Sequence, residues 1–331
     1  MNLKDELLRI SSQLFEESSD YSSTLKEYKQ LLRSISNQII DSEAYRNNIH
    51  CKNGIAIGTV WAANCLDDLE RTRKFIKGIE RAIQERIHQK DSLHILYAGT
   101  GPFASLILPF VLRYANFNIT YTLLEINPLS FEALKSTIQK FDLETHRINF
   151  INTDATKYQF AKSISPDIIV SETMQRALDS EQQVAVFYNL MRQSNPDTVF
   201  IPEKITLSIG TSSYKNDEPN IQQKYYRSHH NVFEVSKEAM GSNDWWFDKT
   251  TAELNFTKKQ TILKSKELSI ALEIVVMTEI TIYKNEKLLI NESGLTAPKY
   301  IQDISNNKKK PLTIYSRYVF GSKPKLELRI V

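Results

Sequence analysis

The chain has 331 residues, of which 41% are hydrophobic, 24% charged and 10% aromatic. This composition is typical of globular proteins and excludes disordered and collagen-like ones, and the length favours two domains over one. The formal net charge is only +3, which argues against nucleic acid as the main partner.

The first part of the chain is predicted to be an N-terminal helical segment, residues 1–90. Apolar residues recur there at helical spacing, beginning with Leu7, Ile10 and Leu14. The stretch 60–87 keeps this spacing and is predicted to be one long helix.

Strands and helices alternate in the middle of the chain, residues 91–204. Short apolar runs that end in turn residues predict strands, and longer runs with helical periodicity predict helices. This alternation is typical of βαβ units and of a Rossmann-like domain with a parallel sheet. The predicted strands cover 94–98, 118–124, 148–152 and 167–170, and the predicted helices cover 104–114, 129–141 and 182–193.

The remainder of the chain, residues 205–331, is predicted to be rich in β-strands. Its β-branched and aromatic runs are separated by Asn, Lys, Pro and Ser, as in an antiparallel sheet or barrel. The predicted fold class is therefore α/β: a Rossmann-like core with N-terminal helices and a C-terminal antiparallel β-barrel-like domain.

A glycine-rich turn follows the first predicted strand of the core. Gly99 and Gly101 allow a tight turn and a close approach to a ligand, and Glu125 ends the next strand 24 residues after Gly101. An acidic residue in that position can accept both hydroxyls of a ribose. With Ala104, the turn also matches the G-x-G-x-x-A pattern of NAD-binding proteins, so NAD and S-adenosylmethionine (SAM) both remain candidates.

The third predicted strand favours SAM. Asp154 and Ala155 lie just past its end, where methyltransferases hydrogen-bond the adenine amino group. Asp154 would alternatively be a helix N-cap, and Glu125 an exposed acid at a strand end. The cofactor-binding residues predicted here are Gly99, Gly101, Glu125, Asp154 and Ala155.

Two glutamates follow the fourth predicted strand. Glu172 comes directly after it, and Glu181 follows nine residues later. Two carboxylates on one side of a pocket can hold a planar guanidinium through bidentate, charge-assisted hydrogen bonds. They also draw its positive charge toward the bonded nitrogens, which leaves another nitrogen better able to attack a methyl group. The alternative for Glu181 is a structural role at a helix start, in a capping pattern with Ser180 and Gln183.

These motifs together resemble those of the protein arginine N-methyltransferases, a family of class I SAM-dependent methyltransferases. Glu172, Met174 and Glu181 look like its double-glutamate loop, and residues 198–204 are similar to its fifth strand and the junction into a β-barrel. Residues 65–72 are similar to its helix segment of the form M-L-x-D-x-x-R-T.

The resemblance implies an enzyme that transfers a methyl group from SAM to a guanidino nitrogen and releases S-adenosylhomocysteine. Glu172 and Glu181 would be the catalytic pair and would bind the acceptor together with Met174. Arg71 would bind the carboxylate of SAM, unless it is an ordinary arginine of a helix surface. Residues 205–331 would form a substrate and dimerisation domain, so the resemblance also implies a homodimer.

Departures from the family's pattern favour a small-molecule acceptor. Tyr97 stands where members carry an acid, and no Thr-His-Trp loop with its histidine occurs. The net charge of +3 points the same way, because a highly basic protein substrate favours an acidic enzyme surface. Free arginine or a small arginine-like metabolite is the predicted acceptor. The alternatives are another small-molecule N, O or C acceptor, a protein arginine, and an inactive interaction protein with a SAM-binding fold.

The spacing of cysteines and histidines and the length of apolar runs indicate where the protein is located and what it binds. Cys51 and Cys65 form no C-x-x-C pair, and the six histidines show no metal-ligand spacing, so no metal is predicted. Asp5 and Glu6 stand where a signal peptide would be basic and apolar, and no apolar run is long enough for a membrane span. We therefore expect a cytoplasmic protein with neither a membrane nor a nucleic-acid partner.

Overall fold

The structure is a computed structural model, and it describes residues 2–16, 20–36, 42–161, 165–214, 224–242, 245–248, 250, 253–306 and 311–331. The helices are α1 (Leu3–Leu14), α2 (Tyr21–Ser34), α3 (Glu43–Arg46), α4 (Thr59–Asn64), α5 (Leu69–Ile87), α6 (Leu108–Arg113), α7 (Pro128–Lys140), α8 (Gln183–Met191), α9 (Lys237–Met240) and α10 (Ser265–Leu268). The strands are β1 (Ile49–Cys51), β2 (Gly54–Ala56), β3 (Leu93–Ala98), β4 (Ile119–Glu125), β5 (Ile148–Asn152), β6 (Ile168–Ser171), β7 (Val199–Ile201), β8 (Lys204–Tyr214), β9 (Lys224–Ser236), β10 (Trp245–Asp248), β11 (Glu253–Phe256), β12 (Lys259–Leu263), β13 (Glu273–Tyr283), β14 (Glu286–Leu288), β15 (Lys299–Asp303), β16 (Leu312–Val319) and β17 (Lys325–Ile330).

A parallel sheet in the order β5-β4-β3-β6-β7 forms the centre of the α/β part. Ala98, the last residue of β3, pairs with Leu124 of β4 on one side and with Ser171 of β6 on the other. The carboxyl ends of these three strands therefore meet at one edge of the sheet. The strand order also reverses between β3 and β6, and ligands of open α/β sheets bind outside such a reversal.

Apolar burial on both faces explains why β3 and β6 lie inside the sheet. Every residue of β6 is buried, and β3 is buried except for the partly exposed His94. Helix α8 is buried along its whole length and packs against β6. Helix α5 instead has one apolar face, which includes Phe75, Ile76 and Ile79. That face is the stripe that the sequence periodicity predicted.

The C-terminal part consists of antiparallel strands. One sheet has the order β14-β13-β8-β9, with β15 also paired to β13, and a second has the order β12-β16-β17. Strands β10 and β11 form a separate hairpin. The predicted fold class, a parallel α/β core followed by an antiparallel β region, is confirmed.

The chain divides into two compact units. The first comprises residues 1–173, 182–203 and 282–287, and the second comprises residues 174–181, 204–281 and 288–331. The parallel sheet and the preceding helices belong to the first unit.

The N-terminal segment departs from the all-helical prediction in two places. Strands β1 and β2 form a hairpin whose turn ends at Gly54, with a φ of +129°. The single helix predicted over 60–87 is also interrupted, because the Asp68 carboxylate accepts the Arg71 N–H at 3.0 Å and starts α5 as a separate helix. This break places Arg71 in the first turn of α5.

Candidate functional site

The glycine-rich turn follows β3 directly. Gly99 and Gly101 have φ values of +77° and +60°, in the left-handed region that glycine adopts without strain. A Cβ atom at Gly99 would lie 2.1 Å from Cγ2 of Thr173, so the Gly99 backbone packs directly against that side chain. At Gly101 the nearest atom to such a Cβ would be 3.5 Å away, on Ala62. Of these two glycines, Gly99 is the one at which a side chain is disfavoured both by a steric clash and by the backbone conformation.

Glu125 connects the glycine-rich turn to the next strand end. Its Oε2 accepts the Gly101 N–H and its Oε1 accepts the Asn127 N–H, both at 2.8 Å. The side chain is buried, so the alternative of an exposed acid at a strand end is wrong. Burial raises the pKa of Glu125 to about 7, against the lowering effect of these backbone hydrogen bonds. The Ile126 N–H is a third backbone donor to this carboxylate, which has about four lone-pair sites, so room remains for a ligand donor.

Asp154 and Ala155 follow β5. Asp154 Oδ1 accepts the backbone N–H of Thr156 at 2.9 Å and its hydroxyl at 2.7 Å, so the carboxylate caps a short turn. The Ala155 carbonyl accepts from Nδ2 of Asn189 at 2.8 Å. The alternative role of a helix N-cap is not observed, because residues 155–157 form a turn and no helix. The second carboxylate oxygen of Asp154 lies 3.7 Å from the Lys157 amine.

Arg71 and Glu172 form a buried ion pair. Nη1 of Arg71 lies 2.9 Å from Oε2 of Glu172, and the side chains are 6% and 7% exposed. Arg71 is therefore not the surface arginine of the alternative interpretation. Burial acts to lower the pKa of Arg71, but the charge of Glu172 raises it above its ordinary value, so the guanidinium stays charged. Burial raises the pKa of Glu172 to about 7, although the Arg71 charge lowers it.

One donor of this ion pair is unsatisfied. Nε of Arg71 is buried and has no hydrogen-bond partner among the residues that the structure describes. A buried guanidinium N–H without an acceptor costs stability, so it marks a place where a ligand oxygen would bind favourably. The sequence predicted separate ligands for Arg71 and Glu172 and did not predict that they contact each other.

Gln183 is a site residue for which the sequence pattern suggested only helix capping. Its side-chain Oε1 accepts from the Thr173 N–H and hydroxyl, both at 2.9 Å, and from the Ser171 hydroxyl at 3.2 Å. Its Nε2 donates to the Ser171 carbonyl at 3.1 Å. Gln183 thus holds both neighbours of Glu172. The capping pattern of Ser180 with Gln183, the alternative role for Glu181, is absent, since Gln182 is the N-cap of α8 and makes no side-chain capping bond.

A sequence signal for Gln183 does exist. It is a polar residue at the start of a helix that is otherwise mostly apolar and fully buried. Buried amide side chains are nearly always hydrogen-bonded, so a buried helix predicts a specific partner for this glutamine. One of its partners is Ser171 of β6, twelve residues earlier in the chain, and the local pattern around Gln183 does not identify it.

Met174 and Glu181 belong to the second unit, and both are buried. Between them, Ala177, Leu178 and Ser180 have φ values of 59°, 54° and 64°. A non-glycine residue in this left-handed conformation costs about 1–2 kcal/mol. Strain of this kind persists only where surrounding contacts impose it, and it is concentrated at functional sites.

Tyr97 is buried on β3, where the resembled family carries an acid. Burial, followed by the charge of Glu172, raises the pKa of the Tyr97 hydroxyl well above its usual value. The residue is therefore a neutral phenol and supplies no negative charge near the glycine-rich turn.

Among the residues that the structure describes, no three His, Cys, Asp or Glu side chains are grouped so that they could hold a metal ion. No helix there has both the length and the apolar composition needed to cross a membrane.

No protein-family model and no curated protein sequence matches this chain. A solved structure does have a similar fold: the Trypanosoma brucei PRMT1 enzyme-prozyme heterotetrameric complex with AdoHcy (S-adenosylhomocysteine). The similarity has a TM-score of 0.50 and covers 81% of this chain and 91% of that chain, at 11% sequence identity. This likeness shows that the two chains share a fold.

Proposed function

We propose that this protein is a SAM-dependent N-methyltransferase that methylates a guanidino nitrogen of free arginine or of a small arginine-like metabolite. One observation carries the proposal: the buried carboxylate of Glu172 is held beside the glycine-rich turn. The next residue, Thr173, packs against Gly99, and Gln183 holds the chain on both sides of Glu172. An acceptor bound by Glu172 would therefore lie next to a cofactor bound at the turn.

The residues around the turn fit SAM as the cofactor. The unpartnered Nε of Arg71 would donate to the carboxylate of SAM, and Glu125 would accept from the ribose hydroxyls. Gly99 and Gly101 allow close approach of the backbone, and Asp154 and Ala155 would face the adenine. SAM supplies an electrophilic methyl group on a sulfonium sulfur.

The same turn fits NAD poorly. A dinucleotide site places its pyrophosphate at the N-terminus of the helix that follows the glycines. The helix predicted from residue 104 begins only at Leu108 in α6, and Pro109 in its first turn has no N–H. The expected anion site is therefore missing, which supports a cofactor without phosphate.

The acceptor would be held by Glu172 and Glu181, with Met174 beside it. A guanidinium bound by carboxylates keeps its charge on the bonded nitrogens, which leaves a free nitrogen to attack the methyl group. Holding that nitrogen in line with the bond to sulfur is the main catalytic contribution expected of these residues. Because Glu172 already pairs with Arg71, the cofactor-binding and acceptor-binding groups are electrostatically coupled.

The proposal is tested by incubating the protein with methyl-labelled SAM and three kinds of acceptor. We expect transfer to free arginine or to a small guanidino compound, and little transfer to an arginine-rich peptide. Transfer to the peptide alone would favour a protein substrate, and transfer only to other N, O or C acceptors would exclude the guanidino assignment. Calorimetry with S-adenosylhomocysteine is the parallel control, and no binding at millimolar concentration would favour the inactive interaction protein.

Methyl transfer is expected to depend on the protonation of Glu172. Its pKa is raised to about 7, so below pH 7 the protonated form predominates and cannot pair with a cationic acceptor. At saturating SAM the rate should fall about tenfold per pH unit below this pKa and level off above it. The residual rate of Glu172→Gln serves as the control and should stay flat from pH 6 to about pH 8. A wild-type rate that is also flat over this range would contradict the assignment.

A further inference from the structure

We infer that residues 177–180 are held in a strained conformation that orients Glu181. They are called here the left-handed segment, because all of them except Asp179 have a positive φ. The positioning residues that hold this segment are Thr278, Tyr318 and Lys299. The inference rests on the proposed function, in which Glu181 binds the acceptor. All of these residues belong to the second unit.

Two strands hold the first half of the left-handed segment. The Ala177 N–H donates to Oγ1 of Thr278 on β13 at 3.0 Å, and the Leu178 carbonyl accepts from the Tyr318 hydroxyl on β16 at 2.7 Å. The Tyr318 ring is buried and stacks on Phe233 with ring centroids 4.3 Å apart. Its hydroxyl is therefore fixed in place by the packing of its ring.

The second half is held by an ion pair and by backbone hydrogen bonds. Lys299, the first residue of β15, pairs with the Asp179 carboxylate. The Ser180 N–H donates to the Pro324 carbonyl at 2.8 Å. The Glu181 N–H donates to the Asp179 carbonyl at 2.7 Å, so a displacement of Asp179 would move the Glu181 backbone.

The contacts to the left-handed segment exceed what a simple connecting loop requires. A loop that only connects two elements can relax into the ordinary regions of φ and ψ, and non-glycine residues leave the left-handed region when nothing restrains them. Here contacts from three different strands restrain consecutive residues, and the segment ends at a buried carboxylate. Placing a site residue on a segment supported by strands is how such a group is oriented reproducibly.

The test compares Lys299→Met and Tyr318→Phe with the wild type. Tyr318→Phe keeps the stacked ring and removes only the hydroxyl, and Lys299→Met removes a charge whose side chain is partly exposed. We expect kcat to fall about 10–100-fold in each, because a shift of about 1 Å in a site residue has effects of this size. The KM for SAM and the melting temperature should stay near the wild-type values, and Lys299→Arg should restore most of kcat.

A matched control is Lys224→Met. Lys224 forms a comparable ion pair with Glu273 in the same unit, at 2.6 Å, and both residues lie outside the left-handed segment. It should leave kcat unchanged. A wild-type kcat in both Lys299→Met and Tyr318→Phe would overturn the inference.

Hydrogen exchange gives a readout that does not require the acceptor to be known. The amides of Ala177, Ser180 and Glu181 should be protected in the wild type and should exchange at least about tenfold faster in Lys299→Met. Unchanged exchange would overturn the inference whatever the acceptor is. Faster exchange in a protein that transfers no methyl group would reject the proposed function and leave the positioning of Glu181 supported.

Discussion

Replacing Glu172 by glutamine is expected to lower kcat for methyl transfer by roughly 10–150-fold. The substitution preserves shape but removes the charge that would pair with a guanidinium, and one charge-assisted hydrogen bond accounts for about 1.5–3 kcal/mol, or roughly 10–150-fold in rate. The measurement is single-turnover transfer from labelled SAM at saturating acceptor. A kcat within about threefold of the wild type would exclude Glu172 from the chemistry.

The same substitution should also destabilise the protein, and this effect must be separated from the chemistry. It leaves the Arg71 guanidinium buried without its counter-charge, and removing one partner of a buried ion pair costs about 3–5 kcal/mol. The double variant Arg71→Met with Glu172→Gln removes both charges. It should recover much of the melting temperature, which would assign the destabilisation to the unpaired Arg71 charge. Because Arg71 is itself the proposed SAM ligand, the kcat of Glu172→Gln is compared with that of the wild type well below both melting temperatures.

Replacing Gly99 by alanine is expected to abolish measurable cofactor binding and to destabilise the first unit by about 2–4 kcal/mol. The left-handed φ of +77° disfavours any side chain there, and the new Cβ would lie 2.1 Å from Cγ2 of Thr173. Thr173 cannot rotate away freely because its hydroxyl donates to Gln183. The checks are calorimetry with S-adenosylhomocysteine and thermal unfolding.

Two further variants separate the steric effect from the backbone effect. Gly101→Ala carries a similar backbone penalty, about 1–2 kcal/mol, but its Cβ would meet its nearest neighbour only at 3.5 Å. It should therefore be clearly milder than Gly99→Ala. Adding Thr173→Ser to Gly99→Ala removes the clashing methyl and keeps the hydroxyl, so it should restore part of the stability. Equal effects of Gly99→Ala and Gly101→Ala would show that contact with Thr173 is unimportant.

Local sequence patterns predicted four of the five strands of the parallel core; the fifth, β7, was expected only from the family resemblance of residues 198–204, and α6 begins four residues later than predicted. The β5 prediction, 148–152, has the observed bounds, and the bounds of β4, β6 and α7 lie within one residue of those predicted. These elements have short apolar runs or clear helical periodicity and end in turn residues. The prediction failed at the β1–β2 hairpin and at Asp68, where a three-residue strand and a side-chain cap depend on contacts that periodicity does not report.

The candidate site likewise has some features that the sequence predicts and others that depend on tertiary contacts. That Glu125 ends one parallel strand and Glu172 directly follows another is predicted from their places in the chain, and so is their location at one edge of the sheet. Other features depend on contacts between residues far apart in sequence. The ion pair of Arg71 with Glu172 joins residues about one hundred positions apart, and the left-handed segment is strained against local preference.

The sequence alone determined the order of most elements of the parallel core, the glycine-rich turn and the positions of the two carboxylates, because each is encoded by neighbouring residues. Only the tertiary structure decided that Arg71 is buried against Glu172, that Gln183 holds the chain beside it, and that strands of the second unit impose the backbone before Glu181. The physical reason is that burial and hydrogen-bond partners arise from packing between distant elements, which can override local conformational preference.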